Sequence, residues 1–104
     1  MNKENLKQLQ ILEQSLHSVL MQKQQFQTQL IEIESALSEL EKTDIAYKIV
    51  GNIMVASKKS ELKKDLEAKK ELFGARIRIL DKQEQKLKED AGNLQKQLLK
   101  DMKE

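Results

Sequence analysis

The chain of 104 residues has no cysteine, proline or tryptophan, and only three glycines, two phenylalanines, one tyrosine and one histidine. Each of these shortages excludes something. Without cysteine there is no disulfide framework and no thiolate metal site, which fits a reducing compartment. Without proline, and with glycine confined to three positions, long helices can run uninterrupted. With 3% aromatic residues there are few large side chains to fill a compact core. His17 has no second histidine or cysteine with which to build a ligand set or a base dyad, and it falls on the polar flank of a helix. Glu32 and Glu34 have no apolar pocket to perturb them. Gly51, Gly74 and Gly92 lie too far apart to form a phosphate-cradling loop. The sequence therefore predicts no catalytic residue, no cofactor, no metal and no enzymatic activity.

Two further absences concern partners. No apolar run approaches the ~20 residues that cross a bilayer. The start, Met-Asn-Lys-Glu-Asn, leads into heptads with no secretory apolar region. A cytoplasmic location with no membrane partner is expected. The 19 basic and 17 acidic residues are interspersed. Even the densest basic stretch, Lys58-Lys59, Lys63-Lys64 and Lys69-Lys70, is diluted by Glu61, Asp65, Glu67 and Glu71, and no aromatic residue interleaves it for base stacking. Nucleic acid is not an expected partner.

What the chain has in quantity is Leu, Lys, Glu and Gln, the composition of long helices and coiled coils. A first helix is expected over about residues 3–42. Leu9, Leu16, Lys23, Leu30 and Leu37 form one series of seven-residue steps. Leu12, Val19, Phe26, Ile33 and Leu40 form a second series three residues on. A second helix is expected over about residues 58–103, with Ser57 as its N-cap. Its seam is Leu66, Phe73, Leu80, Leu87 and Leu94, accompanied by Lys70, Ile77, Glu84, Ala91 and Leu98. The charges at Lys23 and Glu84 either snorkel out of the seam or form a polar layer that fixes register.

Between the helices lies a β-branched, apolar segment, residues 46–57, centred on Gly51-Asn52. Glycine supplies the positive φ that a two-residue hairpin loop needs. This loop would set Val50 opposite Ile53 and Ile49 opposite Met54. Extending the reflection into the helices pairs Leu37 with Leu66, Leu30 with Phe73, Phe26 with Ile77 and Leu16 with Leu87, each a seam residue on a seam residue. The hairpin would carry Ala46, Lys48, Val50, Ile53 and Val55 on one face and Tyr47, Ile49, Met54 and Ala56 on the other. A lone hairpin is marginal in water, and one with two apolar faces and two open edges needs other strands. Tyr47, Ile49, Val50, Ile53, Met54 and Val55 are thus the candidate oligomerisation residues. The antiparallel return brings both chain ends together roughly 60 Å from the hairpin. Leu6, Ile11, Leu99 and Met102 are off-seam apolar residues near those ends and make up a candidate binding patch. Leu20, Met21, Ile31, Leu72 and Ile79 are apolar and off the seam elsewhere.

The run Tyr47-Lys48-Ile49-Val50-Gly51, followed by Ile53-Met54-Val55, resembles the Tyr-Lys-x-Val-Gly stretch that opens the hairpin of prefoldin β subunits. Gln22-Lys23-Gln24, with Leu30 downstream, is similar to the family's helix 1 pattern, and Lys82-Gln83-Glu84-Gln85-Lys86 to its helix 2 run. The similarity covers nearly the whole chain as a single domain, 1–104, with one hairpin, as in the β rather than the α type. The resemblance implies a mainly α fold, a long antiparallel two-helix coiled coil whose hairpin joins a shared β-barrel in the oligomer. It also implies a hexamer of two α-type and four β-type subunits that holds non-native polypeptides at its coiled-coil tips without ATP and passes them to a group II chaperonin. Set against this is a homo-oligomeric coiled-coil spacer or filament subunit with no client.

Overall fold

Helix α1 spans Lys3–Glu41, strands β1 and β2 are Ala46–Val50 and Ile53–Ser57, and helix α2 spans Lys59–Lys103. The structure, a computed structural model, describes residues 3–103. It is mainly helical, with two long helices joined by one antiparallel hairpin.

The hairpin follows its loop chemistry. Gly51 has φ +61°, and among the described residues no non-glycine residue has a positive φ. A positive φ at the first loop residue and a negative one at the second is the sign pattern of a type II′ turn, whose twist matches that of the strands. The register is the one that this loop imposes: Val50 opposite Ile53, Ile49 opposite Met54, Lys48 opposite Val55, Tyr47 opposite Ala56 and Ala46 opposite Ser57.

Two compact units are present, each built from both helices. The terminal unit comprises Met1–Gln25 and Ile77–Glu104; the hairpin unit comprises Phe26–Arg76. In the terminal unit Val19, Leu80 and Leu98 are buried, and Leu9, Leu12, Leu16, Leu87 and Leu94 are half-buried beside them. In the hairpin unit Ile33, Leu40 and Ala46 are buried, with Leu30, Leu37 and Leu66 half-buried. Every expected seam position of α1 is at least partly covered, whereas on α2 Lys70 stands exposed. Phe26 and Phe73 bring their ring centroids to 5.5 Å at a tilt of 49°, a contact worth about 1 kcal/mol beyond the area it covers. The reflection from the hairpin did not pair these two rings. It placed them one layer apart, a gap that two long aromatic side chains close.

At the root of the hairpin, hydrogen bonds replace the missing glycine and proline stop signals. α1 ends as the Lys42 N–H donates to the Glu39 carbonyl at 3.1 Å. The Thr43 hydroxyl then donates to the Ile45 carbonyl (3.1 Å) and accepts from the Ile45 N–H (3.3 Å), a local turn in which a side chain stands in for the backbone. From the start of α2, the Lys59 ammonium donates to the Glu41 carbonyl at 3.5 Å, supplying a cation where the helix dipole favours one.

The expectation of Ser57 as N-cap is corrected. Ser57 closes β2 opposite Ala46, and the first helical hydrogen bond of α2 runs from the Leu62 N–H to the Lys58 carbonyl at 3.0 Å. Lys58 is therefore the N-cap, a position that a lysine cannot serve with a side-chain acceptor and where its charge opposes the dipole. Glu61 already stands three residues on. Replacing Lys58 with Ser completes a capping box and should stabilise the fold by about 1 kcal/mol, read as a rise in the thermal midpoint.

Candidate functional site

Among the described residues no cluster of histidine, cysteine and carboxylates could hold a metal ion, and no helix is long and apolar enough to cross a membrane. The candidate residues lie on two surfaces.

The first surface is the hairpin. Alternation along two paired strands puts Lys48, Val50, Ile53 and Val55 on one face and Tyr47, Ile49, Met54 and Ala56 on the other. Only Ala46, at the root, is buried; every other strand residue except half-buried Ser57 is exposed, Ile49 to 70% and Met54 to 65%. The sheet has two strands, so each has one unpaired edge. A free edge offers main-chain donors and acceptors to another strand, and two apolar faces offer area to other sheets. All six candidate oligomerisation residues lie here. Ile45 joins them, 65% exposed at the root beside a groove of about 390 Å³ lined in part by Ala36, Leu40, Tyr47 and Leu62. It was missed because it precedes the alternating run.

The second surface belongs to the terminal unit, which contains all four of the candidate binding residues. Leu6, Ile11, Leu99 and Met102 are exposed. With Leu9 and Leu12 on the seam, Leu6 falls on one flank of the helix pair, and on α2 Leu99 and Met102, one helical turn apart, fall on that same flank. Ile11 falls on the opposite flank, next to Gln8. That flank holds a groove of about 240 Å³ lined by Gln8, Leu12, Asp90, Asn93, Leu94 and Gln97. Sequence reading missed it because Gln and Asn beside a seam look like ordinary solvated positions.

Within the same unit the charges on the seam meet. The Lys23 ammonium lies 2.6 Å from an Asp81 carboxylate oxygen and 2.9 Å from Glu84 Oε1, and Lys88 reaches Glu84 Oε2 at 2.8 Å. The structure thus decides between the two readings in favour of the polar layer, with Lys23 and Glu84 largely covered at 23% and 14% side-chain exposure. Asp81 and Lys88 are partners that the seam pattern did not single out; both stand within one helical turn of Glu84, which was the available signal. The hydrogen bond to Asp81, then that to Glu84, holds Lys23 above the usual lysine value of 10.5. Lys88, then Lys23, holds Glu84 below the usual glutamate value of 4.5.

These shifts give the pH dependence its sign. A raised lysine contributes stability in full below pH 10.5 and loses it as pH climbs through the raised value; a lowered glutamate contributes in full above pH 4.5 and loses it as pH falls through the lowered value. The layer's contribution is flat between those limits. Lys23→Leu alone should lower the thermal midpoint at pH 7, because it strips a partner from two carboxylates. Lys23→Leu with Glu84→Leu should restore or exceed it, since an apolar layer often matches a partly buried ion pair. Thermal melts of the single and double variants measure this coupling, and additive effects would refute the layer.

Comparison with known proteins agrees with this architecture. The family model described as prefoldin subunit matches residues 3–104. Among curated relatives, the chain is similar to prefoldin subunit beta of Archaeoglobus fulgidus, 44% identical over 94 residues that cover 88% of this chain and 81% of that protein. It is also similar to prefoldin subunit beta of Pyrococcus furiosus, 40% identical with 81% and 74% covered. Among solved structures, the prefoldin beta subunit from Thermococcus strain KS-1 superposes with a TM-score of 0.83 at 36% identity, covering 91% of this chain and 86% of that one.

Proposed function

The chain belongs to the prefoldin β-subunit family, and from that premise we propose that it is a subunit of an ATP-independent holdase, assembled through its hairpin and binding clients through its terminal unit. The family is one of chaperones rather than enzymes, and its β subunits imply hetero-oligomers with other prefoldin subunits. In our reading the partner is an α-type subunit, two joining four copies of this chain in a cytoplasmic hexamer whose hairpins close a shared β-barrel. Clients are non-native polypeptides, handed on to a group II chaperonin.

The observation that carries the proposal is the hairpin, apolar on both faces, exposed on both and open at both edges. A structural spacer needs helices; it does not need this. Exposed apolar residues on the terminal unit supply the second half of the reading, since attraction to non-native chains is mainly hydrophobic. Each such contact is weak, so release needs no nucleotide, and several subunits gripping one chain supply avidity through effective concentration.

Light scattering of a chemically denatured protein diluted into buffer tests the reading. This chain, co-purified with its α-type partner, should suppress aggregation without ATP. An assembled complex that leaves the scattering unchanged would favour the spacer.

A further inference from the structure

The groove of the terminal unit has a composition that client holding by apolar area alone does not explain. Its half-buried floor is Leu12 and Leu94, and its rim is the amides of Gln8, Asn93 and Gln97 together with the carboxylate of Asp90. Of the residues lining it, only Asp90 is charged. Among the described residues neither Asp90 nor any of the three amide side chains makes a hydrogen bond or ion pair. Glu84, six residues earlier, is bonded twice over.

We propose that this groove binds a segment of extended polypeptide in which a lysine or arginine flanks a large apolar residue. The inference rests on the holdase reading and names the kind of segment that reading would favour. Three features carry it. Each free amide has both donors and an acceptor, which is what an extended main chain requires, since every residue but proline presents one of each. Amides on the rim therefore recognise backbone whatever its sequence. The leucine floor and a volume of about 240 Å³ suit one large apolar side chain rather than a folded surface. The unpaired Asp90 carboxylate supplies the charge complementarity. It attracts a cationic neighbour and repels an acidic one, while the apolar residue takes the floor. Ile11, on the same flank, extends the apolar area for whatever follows along the chain.

Charge selection of this kind is modest. Exposed ion pairs are worth about 0.2–1 kcal/mol, so preference between otherwise identical segments should be about 1.4- to fivefold by that measure. The test uses the complex of this chain with its α-type partner and two labelled peptides with Gly/Ser flanks, centred on Leu-Lys or Leu-Glu, compared by fluorescence anisotropy at low salt. The Lys peptide should bind more tightly by that factor, and the gap should close at high salt, as screening requires. Asp90→Asn keeps the shape and should abolish the discrimination, bringing the two peptides to equal affinity. Gln8→Leu with Gln97→Leu should weaken both peptides together.

Equal binding of the two peptides by the parent complex, or a discrimination that survives Asp90→Asn, would overturn the proposal. A change in the elution volume of the complex on Asp90→Lys would overturn it in another way, by showing the groove to be an interface between subunits. Failure of the holdase reading is visible separately, as a parent complex that assembles and protects no client in the scattering assay.

Discussion

Replacing Val50 and Ile53 together with Lys should turn the assembled protein into isolated subunits that keep nearly all of their far-UV helicity. The two residues face each other at the loop end of the hairpin and are 57% and 66% exposed. In an isolated subunit the change costs little, since a directly opposed pair is worth about 0.2–1 kcal/mol, and like charges there add a similar penalty. The helices do not rest on these side chains, because among the described residues the buried ones they contribute are Val19, Ile33, Leu40, Leu80 and Leu98. In an assembly that covers this face the cost is of another order. Two ammonium groups would lose water with no partner, at roughly several kcal/mol for each ion. Size-exclusion chromatography with light scattering reads the outcome. Val50→Thr with Ile53→Thr, which keeps the β-branched shape without charge, should weaken assembly by a smaller step and separates loss of the interface from loss of the hairpin. Full-size assembly by the Lys variant would show that the hairpin is not the association surface.

Changing Leu6, Ile11, Leu99 and Met102 together to Ser should leave the oligomer intact and abolish suppression of client aggregation. All four are exposed in the terminal unit, and none belongs to the hairpin unit, so assembly through the hairpin should not register their loss. Covering each in full would contribute about 1.5–3 kcal/mol, and partial cover by a mobile client less. Single substitutions should therefore reduce protection modestly. The combined loss is multiplied across the subunits that grip one chain, because avidity depends on every contact. Protection that falls with Leu6, Leu99 and Met102 alone would place the main binding area on their shared flank; a requirement for Ile11 would implicate the groove flank as well. A quadruple variant as protective as the parent would move the client surface to other exposed apolar residues, Met21 and Ile79 first among them.

Much of this protein was legible in the sequence. Seven-residue spacing of apolar residues states which stripe of each helix is covered, since 3.6 residues per turn returns that stripe to one side whatever it packs against. Gly51 before Asn52 states the loop, and the loop states the register down to Ala46 and Ser57, because pairing propagates two residues at a time from a turn. The alternation of Tyr47 to Val55 states that both hairpin faces are apolar. These are consequences of local geometry, and a one-dimensional pattern contains them.

Only the tertiary structure decided the rest, because it depends on how long side chains reach across a gap. Lys23 could have pointed to water; its partner proved to be Asp81 as well as Glu84, an arrangement set by rotamers rather than by heptad letters. Phe26 and Phe73 met across a layer boundary. Ser57 lost the cap of α2 to Lys58 because strand pairing continued through it, a competition between two hydrogen-bonding schemes that each look adequate alone. Position near the ends brought Leu6, Ile11, Leu99 and Met102 into one unit, but the phase of each helix divided them between two flanks. The groove beside Ile11 exists only where both helices contribute walls, so Gln8 and Asp90, 82 positions apart in the chain, acquire a common meaning only when the fold sets them side by side.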